Sequence, residues 1–280
     1  MKLRLCRTAG RYLAVLLGCG TMLFAFGVQA ASFAVGVSPP HFELRGKPGS
    51  VVRDVLLLLN TADEFGDYQL RSADWSMDER GGVTIHGPEL IENSCRPWVR
   101  IERRKLQLEP LGRRQYRFEV HIPEDAEVGE CRFALLISQG TADQPISAEQ
   151  RSANSIRMPI AAQIAVIVYV AVGDATPELS FVGASVETRS KGKVPILTLH
   201  NSGLVHGRPF GNLIGTDAAG KEHSLVITPT PVLAGANVDV VLQPDPTLPV
   251  EEVVPITFPL QLKGSVEFEQ GALEIDTQIE

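Results

Sequence analysis

The sequence predicts an all-β chain built as two immunoglobulin-like β-sandwich domains. Three observations carry this. Short β-like runs alternate with turn residues along its length, no stretch sustains a 3.6-residue apolar period, and residues 160–172 read IAAQIAVIVYVAV, thirteen residues with one polar side chain.

The chain opens with Lys2, Arg4, Arg7 and Arg11, then an apolar stretch over 12–28, then Val28-Gln29-Ala30 before Ala31. That is the pattern of a secretory signal peptide spanning 1–30, with a small-residue cleavage site. Leu16-Leu17-Gly18-Cys19 is a competing box for acylation at Cys19, although apolar residues continue past it from Met22 to Phe26. Removing 1–30 takes away four basic and no acidic residues, so the formal charge moves from 26 − 33 = −7 to 22 − 33 = −11. So acidic an exported chain is a poor binder of nucleic acid. Only Cys95 and Cys131 remain after cleavage. An oxidising compartment makes them one disulfide, the alternative being two buried thiols. By the chain-entropy estimate the bridge would contribute on the order of 3–4 kcal/mol.

The first domain is expected over 31–173. Strands are predicted near 33–37, 42–44, 51–59, 68–74, 83–85, 98–101, 114–121 and 132–138, with a long last one over 156–172. Val55 to Leu59 is continuously apolar, as in a strand covered on both faces. Arg114, Tyr116, Phe118, Val120 and Ile122 alternate with Gln115, Arg117, Glu119 and His121, which predicts one wet face. Asn60-Thr61, Arg80-Gly81-Gly82 and Pro110-Leu111-Gly112 supply turns between these runs. So many short strands with such punctuation fit an immunoglobulin-like sandwich.

Gly173-Asp174-Ala175-Thr176-Pro177 reads as a hinge, and a second sandwich is expected over 174–280. Its strands are predicted at 179–188, 194–200, 211–216, 224–227, 238–242, 256–262 and 266–279, the last broken at Gly271. Turns are placed at 217–221 and 261–265. Seven prolines between 229 and 259 make this half rich in loops.

The 160–172 run carries the functional signal. In a strand, Ile160, Ala162, Ile164, Val166, Val168, Val170 and Val172 share one face, and Ala161, Gln163, Ala165, Ile167, Tyr169 and Ala171 share the other. Both faces are apolar. Such a strand is either buried on both sides or lends one face and its backbone to another protein. Thirteen residues fall short of the roughly twenty that a membrane-spanning helix needs, and the run is rich in β-branched residues.

Two sandwiches behind a signal peptide, the first closing on a long apolar strand after a polar loop, resemble the periplasmic pilus-assembly chaperones. Val37-Ser38-Pro39-Pro40-His41-Phe42-Glu43-Leu44 is similar to that family's opening strand, followed by Lys47-Pro48-Gly49 and by Leu59-Asn60-Thr61. The stretches 98–101 and 106–112, His121-Ile122-Pro123-Glu124-Asp125-Ala126, Gly129 and Arg132 resemble its later strands and turns. In the second half Asn201-Ser202-Gly203, with His206, Arg208 and Gly211, resembles a turn of the family. The likeness covers nearly the whole mature chain and has no single diagnostic motif.

The resemblance implies a non-enzymatic chaperone of the periplasm. It would cap pilus or surface-fibre subunits by donating a strand, working with an outer-membrane usher and without cofactor. Ile160, Ile164, Val166, Val168 and Val170 are then the row expected to enter a subunit, while the small row of alanines lies against its own domain. It also implies a cationic anchor for the subunit's C-terminal carboxylate. Here His41 stands at the position of the family's usual arginine, and residues 164–172 contain no lysine or arginine. A histidine is mostly neutral at pH 7, so Arg45 and Arg157 are the substitutes the sequence offers. The alternative from another class is a structural or adhesive subunit of a surface assembly, in which 160–172 is simply core.

Other clusters give less. Arg96, Arg100, Arg103, Arg104, Lys105, Arg113, Arg114 and Arg117 read as a solvated sheet face or as a docking patch for an acidic partner such as the usher. His200, His206 and His223 lack regular metal-ligand spacing. Trp75 and Trp98 read as packing aromatics, and no phosphate loop, paired-histidine motif or nucleophile elbow is present.

Overall fold

A computed structural model describes residues 34–139, 163–189, 192–249 and 254–280. The expected Ile160 and Arg157 lie outside these residues. Two separate cores organise the strands.

In the first half, β1 (Val35–Ser38), β3 (Val51–Asn60), β9 (Arg113–His121) and β7 (Val99–Ile101) form one layer in the order β1-β3-β9-β7. The second layer runs β2-β11-β10-β4-β8, from β2 (His41–Gly46), β11 (Gln163–Val172), β10 (Gly129–Gln139), β4 (Gly66–Ala73) and β8 (Lys105–Leu108). Facing rows fill the gap between them: Leu56, Leu58, Tyr116, Phe118 and Val120 from one layer, and Leu70, Phe133, Leu135 and Ile137 from the other. Phe118 meets Phe42 and Phe133 edge-on, with ring centroids 5.0 and 6.2 Å away. Aromatic pairs favour that geometry because the positive ring edge meets the negative face. Cys95 and Cys131 are joined in a disulfide, their Cα atoms 5.3 Å apart, at the margin of this core.

A short hairpin, β5 (Trp75–Met77) with β6 (Val83–Ile85), lies apart from both layers. Trp75 is 1 % exposed. Its indole donates to the Phe133 carbonyl at 3.0 Å, and its ring meets Tyr169 edge-on at 5.3 Å. The hairpin thereby covers the outer side of the second layer.

The second half forms the sandwich of β12 (Leu179–Arg189), β13 (Gly192–Asn201), β14 (Asn212–Thr216), β15 (Glu222–Ile227), β16 (Asn237–Pro244), β17 (Leu260–Phe268) and β18 (Gly271–Ile279). β16 changes partner midway, pairing with β13 over 237–241 and with β15 over 242–244, and so links the two layers. Leu197, Leu199, Leu213, Val240, Leu262 and Val266, each fully buried, make the core.

Several boundaries differ from expectation. The turn expected at 261–265 is the interior of β17, and the reversal comes instead between β17 and β18. Gly264 is there for closeness: a Cβ would stand 2.7 Å from the Asn212 carbonyl oxygen. β8, at Lys105–Leu108, lies in a stretch where no strand is expected. Residues 173–178 are no loose tether, because Arg45 Nη1 donates to the carbonyls of Gly173 and Ala175, 3.0 Å each.

Each sandwich repeats one device. Asn60 ends β3 and Asn201 ends β13, both fully buried. Asn60 accepts from Ala62 N and donates to the Glu64 and Glu109 carbonyls. Asn201 accepts from Gly203 N and donates to the Val205 and Val232 carbonyls. An Asx side chain thus takes over backbone groups that the ended strand leaves unpaired.

Candidate functional site

β11 has two very different rows. Val166, Val168 and Val170 are 0 % exposed and Val172 is 1 % exposed, all within the first sandwich's own core. This corrects the expectation that Val166, Val168 and Val170 point outward into a partner. The cause lies in the neighbouring strand. Residues directly opposite in an antiparallel pair share a face, and β10 sets Phe133 against Val168, Leu135 against Val166 and Cys131 against Val170. The small row could not fill the roughly 10 Å between packed sheets. It lies on the outer side instead, where Tyr169 and Ala171 sit under Leu233, Ala175 and Val205. Alternation of bulky and small residues in β10 was the signal that could have fixed this.

The first part of the strand is different. β2 runs parallel to β11 and pairs only from Ile167 to Val172. Over 163–166, β10 holds one flank, and among the described residues no strand holds the other. Two prolines explain the gap. Continuing the register back from His41 would set Pro40 and Pro39 across from Val166 and Ala165, and proline has no N–H to give. The chain leaves the sheet there and joins the other layer as β1, where Ser38 pairs with Leu57. The open stretch carries exposed Gln163 and half-buried Ile164 and Ala165, with Ile164 packed at the margin of the core.

Toward the other end of β11, where β2 covers its flank, lies a cleft lined by Glu43, Arg45, Glu130, Tyr169, His206 and Glu269. β2 alternates Phe42 and Leu44 inward with His41, Glu43 and Arg45 outward, which brings all three polar side chains to this side. Glu130 precedes Cys131 on β10, and its side chain is 1 % exposed. Its Oε2 accepts from His206 N at 3.0 Å and contacts His206 Nδ1 at 2.5 Å. Glu43 Oε1 accepts from Arg208 Nε and lies 3.5 Å from His206 Nε2. The His206 ring rests 3.9 Å from Tyr169, and the Arg208 guanidinium lies 5.4 Å from the same tyrosine ring.

This geometry tunes each group. His206, followed by the Arg208 guanidinium, holds the Glu43 carboxyl down to about 2 despite partial burial. Burial, the largest influence on His206, favours its neutral ring, but the bonds to Glu130 and Glu43 outweigh it and raise its pKa. Burial lifts the Tyr169 phenol to about 12. His41 is lowered, first by burial and then by Arg208.

The expected carboxylate anchors therefore stand apart. Arg45 is engaged on the carbonyls of Gly173 and Ala175. His41, 3.7 Å from Glu43, is held toward its neutral form. The sequence does not single out Glu43, Glu130 or Tyr169 as site residues; it offers Arg208 only as part of a turn, and His206 as part of that turn and among three histidines without metal-ligand spacing.

The arginine-rich stretch divides. Arg96 reaches buried Asp74 at 3.1 Å, Arg114 holds Glu102 at 2.7 Å, and Arg100 donates to the Pro97 and Val99 carbonyls. Arg113 and Arg117 have no ion-pair partner among the described residues. They stand on β9 opposite Leu59 and Val55, which are 39 % and 37 % exposed. His200 faces Asn237 and His223 faces Asp217, so the three histidines of the second half have separate partners.

No protein-family model matches the chain, and no curated protein matches it. Among solved structures it is similar to the class 5 fimbriae chaperone CfaA, with 9 % identity, 87 % of this chain and 98 % of that chain covered, and a TM-score of 0.46. It is also similar to the Salmonella enterica SafB chaperone solved with SafA pilin, with 12 % identity, 89 % and 98 % covered, and a TM-score of 0.45. A third similar structure is a CsuC–CsuE chaperone and tip subunit complex from archaic Csu pili of Acinetobacter baumannii, with 10 % identity, 88 % and 98 % covered, and a TM-score of 0.44.

Proposed function

We propose that this chain is a non-catalytic, exported chaperone that covers an unfinished sheet of a pilus or surface-fibre subunit, and that the open edge of β11 at 163–166 is where it does so. The observation that carries the reading is the one-sided pairing of that segment. N–H and C=O groups there that pair with no strand among the described residues, beside half-buried Ile164, can extend a partner's sheet by strand addition. Of the expected row, Val168 and Val170 fall where β2 covers the flank, and Ile164 is the half-buried apolar side chain on the open stretch. Exposed strand edges invite aggregation, so covering a subunit's edge gives such a protein its purpose.

The first sandwich favours a donor over a strand-deficient subunit. β11 closes its own core with Val166, Val168, Val170 and Val172, so no groove is left for a foreign strand to fill. Capture of a carboxylate is not part of this reading, because Arg45 is engaged and His41 stands next to acidic Glu43. An usher would fit the outer face of β3 and β9, where Val55 and Leu59 lie beside Arg113 and Arg117, which have no ion-pair partner among the described residues.

The test is co-expression with a subunit from the same cell. Ile164→Asp should lose co-purification while keeping its far-ultraviolet circular dichroism spectrum. Retention of the subunit at wild-type yield by folded Ile164→Asp would remove the edge from the mechanism. Recovery of the wild-type chain in the surface-fibre fraction would favour the structural-subunit alternative.

A further inference from the structure

Both ring nitrogens of His206 face carboxylates of the first sandwich: Nδ1 lies 2.5 Å from Glu130 Oε2, and Nε2 lies 3.5 Å from Glu43 Oε1. A neutral imidazole has one N–H, so one of the two carboxylates would then face a lone pair. Only the imidazolium donates on both sides. We propose that His206 is a proton-dependent clasp between the sandwiches: protonated, it ties β10 and β2 to the turn after β13, and deprotonated, it releases Glu43 and loosens the junction. This goes beyond the strand-donating function and does not depend on it.

The surroundings were built for such a clasp by three elements. β10 supplies Glu130 and Arg132, whose Nη1 is 3.7 Å from Glu130 Oε1. β2 supplies His41, Glu43 and Arg45, and β11 supplies the Tyr169 ring on which His206 rests. From the second sandwich come Arg208, bonded to Glu43, and Glu269, which accepts from the Arg208 backbone N–H at 3.4 Å. Arg45 is turned to the linker carbonyls and Arg208 is held by Glu43, so Glu130 Oε2 has His206 as its hydrogen-bonding cation. Glu130 cannot turn to water for compensation, because its side chain is 1 % exposed. A buried carboxylate facing a lone pair is strongly disfavoured.

The sign follows from the direction in which His206 is shifted. Its pKa in the folded chain lies above the ordinary 6.5, because its bonds to Glu130 and Glu43 outweigh burial. A raised folded value makes the clasp complete below the ordinary pKa, and it is lost as pH rises through the folded value. Since His206 touches both β2 and β11 through Glu43 and Tyr169, the same proton sets how firmly those strands are backed by the second sandwich.

The experiment uses the whole mature chain, with His206→Asn, Glu130→Gln and, as control, His200→Asn, whose ring faces Asn237 rather than a carboxylate. Thermal midpoints are recorded between about pH 5.5 and about pH 8.5, and the His206 ring is titrated by NMR. The wild type and the His200 control should fall by about 2–4 °C more than either clasp variant across that range, and the ring should titrate above its ordinary value. Equal slopes in wild type, His206→Asn and Glu130→Gln, or a ring that titrates below its ordinary value, would overturn the clasp. If His206→Asn fails to fold, Glu130→Gln and the wild-type titration still decide. Subunit capture is not read in this experiment, so its outcome is separate from that of the donor edge.

Discussion

His41 stands directly across from Ile167 where β2 and β11 run parallel, and this is the first rung of that ladder. Before it, no strand among the described residues pairs with the same flank of β11. A pair of prolines just upstream of His41 thus decides how much of β11 belongs to its own domain and how much stays available. The strand is divided in its pairing along its length rather than between its two faces.

That division can be read by substituting one residue on each side of the rung. Val168→Asp places a carboxylate in a fully buried site across from Phe133, within an apolar core. It should cost more than about 4 kcal/mol and leave little folded protein. Ile164→Asp, at the half-buried margin, should cost about 1–2 kcal/mol. Urea titrations followed by circular dichroism give both values, and a Val168 variant with the wild-type midpoint would return that row to the surface.

Loss of the disulfide should weaken the first sandwich in particular. Cys95 lies just before a single 3-10 turn, Arg96–Trp98, and Cys131 lies in β10, so the bridge fastens an irregular segment to a core strand. Replacing both cysteines by alanine should cost about 2–5 kcal/mol. Comparing urea midpoints of the variant and the oxidised wild type measures it, and unchanged midpoints would show that the segment is held without the bond.

Asn201→Ala tests the turn device shared by the two sandwiches. The substitution strips partners from the carbonyls of Val205 and Val232 and from the backbone N–H groups of Glu178 and Gly203. Some of these groups are buried, and the expected cost is about 1–3 kcal/mol. Asn60→Ala should behave similarly in the first sandwich, where Tyr68 also donates to Asn60 Oδ1 at 3.0 Å. A calorimetric scan that moved by less than about 1 °C in both variants would reject this account.

How far these features were legible depends on whether they are local. The alternation Tyr116, Phe118, Val120 gave β9 its buried face directly, because the period-two pattern is contained in one strand. The same pattern in β11 offered two apolar rows, and the choice between them lay in β10, whose pairing the sequence does not display. Gly264 shows the other limit. Beside Lys263 and Ser265 it read as a turn, whereas it admits close approach of the Asn212 backbone, a contact made 52 positions away. The cleft was least visible, since Glu43 and Arg208 are 165 residues apart. Each of its residues looks like an ordinary surface charge until both sandwiches are folded.

Glu43 provides a pH window distinct from that of His206. Its carboxyl, normally near 4.5, is held to about 2 by the bond from His206 and by Arg208. A depressed folded pKa gives stability that is present above the ordinary value and is lost as pH falls through the folded one. The wild type should therefore lose more stability than Glu43→Gln between about pH 4.5 and about pH 2. The Glu43 side chain is 44 % exposed, so solvent screening keeps the effect modest. Arg208→Gln should reduce the loss by removing one source of the depression while leaving the His206 contact. Urea midpoints taken at intervals down this range would decide, and parallel curves for wild type and Glu43→Gln would show that the link across the junction contributes nothing to acid stability.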